Sequence, residues 1–292
     1  MQTIENGKFK AVIDEKGAQL THLYNKAEDF DYIWNNDIWP KHAPVLFPAI
    51  GRSNDDSYFY EGKKYEMPQH GFVSEYEFNV AKKSEDSVTL ALAANDEMKK
   101  IYPFDFKLEI VFTLKNDGLH WDFNVSNEGQ NALSFSLGSH PAFNVPINGK
   151  GEFSDYKLEV TPKVDALEHF KIVKKPYPFR EGHLETIKDY HNGAIDLNYD
   201  MFADGLIILE NKGIDALKLT SAKTEHTITV TLKDFRYVCL WTKEGADAPF
   251  LCIEPFEGLP DVYGEPVDIM EKEGNVKLAA NENKTFSYDI KL

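Results

Sequence analysis

Apolar and polar residues alternate strictly through part of the middle of the chain. Every second position between 104 and 114 carries a large apolar side chain, namely Phe104, Phe106, Leu108, Ile110, Phe112 and Leu114. This period of two predicts a β-strand that buries one face and exposes the other. The pattern returns at 121–126, and the turn residues of 127–130 lead into a third run at 133–140. The chain is therefore expected to contain several strands in succession.

The same reasoning predicts strands along most of the chain. They are expected at 9–13, 19–24, 156–160, 216–220, 227–232, 238–241 and 286–292, with a hairpin over 58–65. Helical signals are few and short, at 95–102 and 185–191, and the mixed charges and two prolines of 168–185 predict an irregular segment. With no repeat or flexible linker, these elements predict an all-β fold, a β-sandwich, in a single domain over residues 1–292.

Strand parity places one histidine away from the core. In the run 133–140, the three large apolar side chains are expected to face the core, and the polar residues of opposite parity form a stripe, Ser134, Ser136 and His140. Pro141 favours extended backbone at the residue before it. The ring of His140 is therefore expected to project from a stiff strand end.

A carboxylate stands within the apolar run 250–258. Phe250, Cys252, Glu254 and Phe256 share one face of the predicted strand, so the acid points the same way as two aromatic rings. Burial among such rings raises the pKa of a carboxyl group, and a raised pKa suits a residue that transfers protons. The alternative at this point is a structural acid that pairs with a buried arginine or accepts hydrogen bonds from the backbone.

The composition is that of a globular protein and excludes several kinds of partner. The chain has 292 residues with 32 Lys and Arg against 48 Asp and Glu, a net charge of −16 that is dispersed along its length. Such a field repels nucleic acid and anionic membranes, and no apolar run reaches transmembrane length. The two cysteines, Cys239 and Cys252, form no CxxC motif, and no secretory leader is predicted after Met1. They predict reduced thiols in a cytoplasmic protein.

Two further segments present candidate binding residues. The two prolines and the glycine of 44–52 predict rigid, extended backbone that ends at Arg52. The segment 68–72 is predicted to be a loop in which proline and glycine flank His70, with the ring free to face a cleft. Taken singly, Arg52 is equally explained as a partner of a nearby surface aspartate, and Trp39 and Trp241 are interpreted as packing residues.

Four segments together resemble one known family. They are FPAIGR at 47–52, QHGF at 69–72, GSHPAF at 138–143 and IEPFEG at 253–258. In kind and order they are similar to the aldose 1-epimerases, also called galactose mutarotases, and the length of the chain resembles the compact bacterial LacX-type branch. The resemblance implies a large antiparallel β-sandwich of galactose-mutarotase type, with a sugar site in an open cleft over one sheet.

The resemblance also implies roles for five residues. Glu254 matches the general base of the family, His140 the general acid, and His70 a second active-site histidine. Arg52 matches an arginine that binds sugar hydroxyls. Asp204 resembles a sugar-binding aspartate, although a glycine replaces the usual residue after it. The implied activity is interconversion of the α and β anomers of a free aldohexose, with no metal and no redox cofactor.

The chemistry of the residue types agrees with this activity. Anomer interconversion removes the proton of the C1 hydroxyl and protonates the ring oxygen, so that the ring opens and then closes on the other carbonyl face. A carboxylate in apolar surroundings and a histidine suit these two proton transfers, because both pKa values can be tuned towards neutrality. His70 and Arg52 are expected to hold hydroxyl groups.

Three other functions compete with the epimerase hypothesis. His70, His140 and Glu254 are the residue types of a two-histidine, one-carboxylate iron site, which metal analysis of the purified protein tests. A sugar-binding or regulatory protein would use the same cleft to bind a sugar without catalysing its conversion. A hexose-6-phosphate epimerase would need a cluster of basic residues at the cleft, where Arg52 alone stands near the motifs. A neutral hexose is the expected substrate.

Overall fold

The computed structural model describes residues 1–174 and 177–292, and most of its regular structure is β-strand. The strands are β1 Gln2–Glu5, β2 Phe9–Asp14, β3 Gln19–Asn25, β4 Phe30–Asp31, β5 Val45–Leu46, β6 Ser57–Tyr60, β7 Lys63–Glu66, β8 Asn79–Lys83, β9 Ser87–Ala93, β10 Phe106–Lys115, β11 Gly118–Asn127, β12 Leu133–Phe135, β13 Leu137–Ser139, β14 Ala142–Asn144, β15 Tyr156–Thr161, β16 Glu168–Val173, β17 Phe179–Thr186, β18 Tyr190–His191, β19 Ala194–Asp196, β20 Ile207–Glu210, β21 Ala216–Ser221, β22 Ile228–Thr231, β23 Tyr237–Trp241, β24 Phe250–Glu257, β25 Val276–Leu278 and β26 Asn283–Lys291.

Helical structure is short, as the sequence predicts. The α-helix α1 spans Asp96–Ile101, and the side chain of Asn95 caps it by accepting a hydrogen bond from the backbone N–H of Met98. Single 3-10 turns lie at Asn54–Asp56, Val73–Glu75, Ile147–Gly149, Phe153–Asp155 and Tyr199–Phe202. No helix of the described residues has the length and apolar character needed to cross a membrane.

Two large antiparallel sheets dominate the architecture. The ten-stranded sheet has the order β18-β19-β15-β21-β22-β26-β11-β10-β9-β8, and the eight-stranded sheet has the order β17-β16-β20-β23-β24-β13-β5, with β14 paired to β24. The main hydrophobic core contains side chains from both, such as Phe106 and Phe123 of the first and Leu251 and Ile253 of the second. The predicted all-β sandwich of galactose-mutarotase type is confirmed.

Most of the predicted strands are present with ends that differ by one to three residues. The hairpin at 58–65 is confirmed as β6 and β7, and its turn residues Glu61 and Gly62 both have positive φ, as a tight two-residue turn requires. The helix predicted at 185–191 is wrong, because this part of the chain ends β17 and then forms β18, which pairs with β19.

The irregular segment predicted at 168–185 is also wrong where the structure describes it. Residues Glu168–Val173 and Phe179–Thr186 pair with each other as β16 and β17, and residues 175 and 176 of this prediction lie outside the described residues. Most side chains of the pair are partly or fully exposed. Mixed charges are therefore compatible with these strands, because their pairing uses the backbone and needs little apolar surface.

The run 133–140 does not form one straight strand. It divides into β12 and β13 on either side of Ser136, and both faces are buried. Ser134 donates a hydrogen bond to the carbonyl of Ile269, and Ser136 donates one to Oδ1 of Asn275. The predicted polar stripe is thus wrong for the two serines, which anchor the segment that follows β24, whereas His140 lies beyond them.

Strand β24 lies centrally in the eight-stranded sheet, between β23 on one side and β13 and β14 on the other. Its odd-numbered residues Leu251 and Ile253 pack into the main core between the sheets. Its even-numbered residues occupy the opposite face, where Cys252 packs beside Phe250 and where Phe256 packs beside Cys239. The predicted parity therefore places Glu254 on the outer face of this sheet.

Candidate active site

A cavity of about 600 Å³ opens over the outer face of the eight-stranded sheet. Its floor comes from β23 and β24, and its walls come from the loops that follow β5 and β7 and from the segments before β17 and after β24. Four of the five predicted site residues line it: Glu254, His140, His70 and Arg52. The fold thus brings together side chains that are more than 200 positions apart in the chain.

Glu254 lies at the floor of the cavity with only 1% of its surface exposed. Among the described residues no lysine or arginine reaches ion-pair distance of its carboxyl group, and its Oε1 accepts no hydrogen bond. Burial therefore raises the pKa of Glu254 well above its ordinary value of 4.5, and the thiol of Cys239, directly opposite on β23, offsets this in part by hydrogen bonding. Burial thus favours the protonated, neutral form of this carboxyl group.

His140 faces Glu254 across 3.4 Å, measured from Nε2 to Oε1. Its ring stacks on Trp39 with centroids 4.9 Å apart and contacts Trp241 edge-on at 5.5 Å. Burial lowers the pKa of His140 well below 6.5, and the electrostatic influence of the neighbouring His70 and Lys41 lowers it further. Two tryptophans therefore fix the orientation of the imidazole against the carboxyl group, and burial favours the neutral form of both groups.

His70 is half-buried, and a backbone N–H group of the loop that carries Arg52 determines its tautomer. The N–H of Gly51 donates to Nδ1 of His70 at 3.2 Å, and the N–H of His70 donates back to the carbonyl of Gly51 at 2.8 Å. Burial, with Lys41 and Arg52 nearby, lowers the pKa of His70 to about 3. With Nδ1 acting as acceptor, the neutral ring carries its proton on Nε2, 3.3 Å from the side-chain amide of Gln69, whose oxygen faces this proton once the amide is flipped. His70 is thus a hydrogen-bond donor.

Two glycines permit close approaches by the loops that carry Arg52 and His70, one to Pro260 and one to the backbone of Phe47. Gly51 has φ +62°, and a Cβ there would lie 2.5 Å from Cγ of Pro260. Gly71 has φ +74°, and a Cβ there would lie 2.1 Å from the carbonyl oxygen of Phe47. Both positions require glycine for conformation and for space.

Arg52 lies at the mouth of the cavity with a quarter of its side chain exposed. Its Nη1 is 3.7 Å from Oδ1 of Asp56, and its guanidinium lies 4.4 Å from the ring centroid of Tyr177. The two explanations of Arg52 that the sequence allows are therefore compatible, because a long and loose ion pair leaves guanidinium donors available to a ligand. Lys41 lines the same cavity.

Asp204 is placed differently from the other predicted site residues. Its side chain is exposed and does not line the cavity, whereas the two residues that follow it, Gly205 and Leu206, do. Its sugar-binding role stays a prediction. Glu244 lines the wall beside Gly205, with Oε1 3.9 Å from the position of a Cβ on that glycine. A Cβ at 205 would be in ordinary van der Waals contact with this carboxylate.

The structural acid of strand β24 is Glu257. It is 5% exposed, lies outside the cavity lining and accepts a hydrogen bond of 2.5 Å from Nε of Arg236. The arginine-paired arrangement considered for Glu254 is thus found further along the same strand, at Glu257, on the opposite face. The contrast separates the two acids, because Glu257 has a cationic partner and Glu254 faces His140 and the cavity.

An ionic network centred on the buried side chains of Asp261, Lys272 and Arg180 holds the segment after β24 against the cavity. Asp261 pairs with Lys272, and its Oδ2 also accepts a hydrogen bond of 2.9 Å from the N–H of Asn54. Arg180 donates from Nε to the carbonyl of Pro260 at 2.8 Å and pairs with Glu273. These contacts fix the wall that includes Pro260, because removal of one partner would leave a buried charge uncompensated.

Several cavity residues were not predicted from the sequence. Cys239, Lys41, Glu244 and the ring of Trp39 line the cavity together with Trp241. The position of Cys239 on the outer face of its strand could have been predicted from the alternation of 238–241. Its pairing with Glu254 could not, because that depends on the register between two strands. Lys41 and Glu244 lie in loops without periodicity, so no sequence pattern locates them.

The residues that could hold a metal ion differ from those considered from sequence. His140, Cys252 and Glu254 have ligand atoms that all lie within 4.8 Å of one another, and His70 is outside this group. His70 and His140 approach edge-on instead, with ring centroids 5.7 Å apart. The two-histidine, one-carboxylate arrangement is therefore not formed by the described residues.

The comparison with known proteins gives the family. The model of the aldose 1-epimerase family matches residues 1–286, so the chain belongs to this family. It is 30% identical over 291 residues to the plasmid-encoded protein LacX of Lactococcus lactis subsp. lactis, covering 94% of each chain.

Two solved structures share the fold over nearly their whole length. A galactose mutarotase-like protein from Lactobacillus casei ATCC 334 superposes with a TM-score of 0.95 at 42% identity, covering 100% of this chain and 99% of that one. A galactose mutarotase related enzyme from Lactobacillus acidophilus superposes with a TM-score of 0.93 at 29% identity, covering 99% and 96%. The family and fold expected from the four motifs are confirmed.

The different environments of the two acids predict that the same substitution, Glu→Gln, changes the free energy of unfolding at one position and not at the other. Glu254→Gln replaces a neutral carboxyl group by a neutral amide, so we expect no loss of unfolding free energy at pH 7. Glu257→Gln removes a charge-assisted hydrogen bond, and we expect a loss of about 1 kcal/mol, since Arg236 is half-exposed. Urea denaturation of both variants measures this difference. An equal or larger loss for Glu254→Gln would identify Glu254 as a structural acid.

Proposed function

We propose that this protein is an aldose 1-epimerase that interconverts the α and β anomers of a free aldohexose. The observation that carries the proposal is the pair formed by Glu254 and His140, which lie 3.4 Å apart, unpaired with other charges, at the floor of the cavity. Binding alone would not need a matched acid and base. Family membership supports the reaction class, and the shared core from Ile4 to Ile290 supports a single domain over residues 1–292.

In the proposed reaction Glu254 is the base and His140 the acid. The carboxylate takes the proton of the C1 hydroxyl, the C1–O5 bond breaks as the C1 carbonyl forms, and the imidazolium protonates O5. Rotation about C1–C2 then presents the other carbonyl face. O5 attacks that face, returns its proton to His140, and the new C1 hydroxyl takes the proton from Glu254. The cycle is balanced and leaves the pair unchanged.

The pair carries one proton, and its position differs between the resting and reacting states. Burial favours a protonated Glu254 and a neutral His140. Transfer of this proton across the 3.4 Å gap gives the carboxylate and imidazolium that the reaction uses. The face of Trp39, whose centroid is 4.9 Å from that of His140, stabilises the imidazolium by a cation–π interaction. The two groups therefore titrate as a unit.

His70 and Arg52 act on the substrate in this proposal. The Nε2–H of His70 donates a hydrogen bond to a sugar oxygen, because Gly51 occupies its other nitrogen and its low pKa of about 3 keeps the ring neutral. Arg52 donates to hydroxyl groups at the mouth of the cavity. Trp241 offers an aromatic surface beside the acid–base pair.

A phosphorylated hexose is the second candidate substrate. The structure adds Lys41 to Arg52 among the residues that line the cavity, which gives it two cations where sequence alone indicated one. Two cations favour an anionic substituent. Glucose 6-phosphate therefore belongs in the substrate panel beside glucose and galactose, and a higher kcat/KM for the phosphate would replace the neutral hexose in this proposal.

The assignment of Glu254 is tested by mutarotation of freshly dissolved α-glucose and α-galactose, followed by polarimetry. We expect Glu254→Gln to lower kcat by about 10²- to 10⁴-fold, the range of general acid–base catalysis. Glu257→Gln is the matched control on the same strand and is expected to retain activity. Equal activity of Glu254→Gln and wild type would contradict the mechanism, and sugar binding without mutarotation by wild type would favour a sugar-binding protein.

The shared proton also predicts the pH dependence of kcat/KM. The active form carries one proton on the pair, so activity falls at low pH when neutral His140 gains a second proton. Because the pKa of His140 is lowered well below 6.5, we expect this fall well below pH 6.5, and a fall at high pH when the pair loses its proton. A profile that already declines as pH rises through 6.5 would instead indicate an independent imidazolium of ordinary pKa.

A further inference from the structure

Cys252 is a buried thiol close to the acid–base pair but outside the wall of the sugar cavity. It is fully buried and packs behind the cavity floor with Trp34, Ala142 and Phe250. The proposed reaction gives it no task. Nevertheless, its Sγ, an oxygen of Glu254 and a ring nitrogen of His140 all lie within 4.8 Å of one another.

The spacing of these atoms fits the coordination shell of a small divalent cation. Nitrogen and oxygen ligands of tetrahedral zinc lie about 2.0–2.2 Å from the metal, which separates them by roughly 3.4 Å. Nε2 of His140 and Oε1 of Glu254 are 3.4 Å apart. A zinc–sulfur bond is about 2.3 Å long. The sulfur of Cys252 would therefore need to move by about 1 Å or less to become the third ligand of the ion.

A second observation points to a ligand at the same place. Oε1 of Glu254 is buried and accepts no hydrogen bond. Buried polar atoms are normally satisfied. A metal ion at Oε1 would supply positive charge where the described residues place no lysine or arginine within ion-pair distance. The cost of ionising buried groups would then be offset by coordination.

The donor set selects the kind of metal. One thiolate, one imidazole and one carboxylate favour zinc and chemically similar ions over magnesium or calcium, which prefer oxygen ligands. Binding requires the thiol and the carboxyl group to release their protons. The fourth coordination position would face the sugar cavity, where water or a sugar hydroxyl can occupy it.

We propose that His140, Cys252 and Glu254 form a zinc-binding site and that zinc inhibits the enzyme by occupying its acid–base pair. The inhibition rests on the proposed epimerase function, whereas the binding does not. Zinc is a regulatory ligand in this proposal and takes no part in anomer interconversion, because the ion would hold the lone pairs that the sugar protons need.

Metal binding is tested directly, without an activity assay, on the full chain after treatment with EDTA. Zn²⁺ is titrated in competition with a chromophoric chelator, and Co²⁺ is used as a spectroscopic probe of thiolate ligation. We expect one ion per chain and a thiolate-to-cobalt charge-transfer band in wild type. We expect Cys252→Ser, which keeps the volume of the side chain, to lose the band and at least about tenfold in zinc affinity.

Cys252→Ala is a second variant that avoids a buried hydroxyl group. Loss of the band in both variants, with unchanged unfolding transitions, supports the site. Failure of wild type to bind one ion, or an unchanged band in either variant, would overturn the assignment, because the second result would place the thiolate elsewhere, such as at Cys239.

Inhibition is tested by mutarotation with and without Zn²⁺. We expect zinc to slow the wild-type reaction, EDTA to restore it, and Cys252→Ser to retain mutarotation with little sensitivity to zinc. Mutarotation at an unchanged rate with the site filled would overturn the inhibitory role. Loss of activity in EDTA alone would also overturn it, since the metal would then be required. A protein that binds zinc but never accelerates mutarotation would instead contradict the proposed function.

Discussion

The burial of the Glu254 carboxyl group opposite His140 is the constraint on which the site depends. In water each group would titrate independently and near its ordinary pKa. At the floor of the cavity, with 1% and 8% of their surfaces exposed, both charged forms lose their hydration, so the neutral pair is favoured. Because the two groups share one proton across 3.4 Å, the site can accept one proton and donate another while its total number of protons stays the same. That property suits a reaction whose forward and reverse directions are the same chemistry.

Burying this pair lowers the stability of the fold, and contacts around the site offset that loss and keep the pair in place. Strand β24 is anchored through Leu251 and Ile253 in the main core, and Glu257 is bound by Arg236 at its end. Loops that carry Arg52 and His70 are joined to each other by two hydrogen bonds through Gly51. An unsatisfied, desolvated acid is tolerated where the neighbouring structure is this strongly determined, which is typical of functional sites.

The sequence predicts those features that depend on local periodicity. Alternation in β10 and β24 identifies the strands and places Glu254 on the opposite face from Leu251 and Ile253, as the structure shows. Parity fails for Ser134 and Ser136, because the chain breaks between β12 and β13 and a later segment covers their face. The contributions of Cys239 and Lys41 depend on sheet register and loop position, which are set by contacts between distant parts of the chain and leave no periodic signal.

The protonation state of Glu254 is the most direct test of this account. Infrared difference spectroscopy of wild type against Glu254→Gln at neutral pH distinguishes the carbonyl stretch of a carboxylic acid from the paired bands of a carboxylate. We expect the ligand-free wild type to show a protonated carboxylic acid that is absent from the variant and retained in Glu257→Gln. A carboxylate signal assigned to Glu254 would contradict the account, because the pair would then rest as an ion pair in spite of its burial.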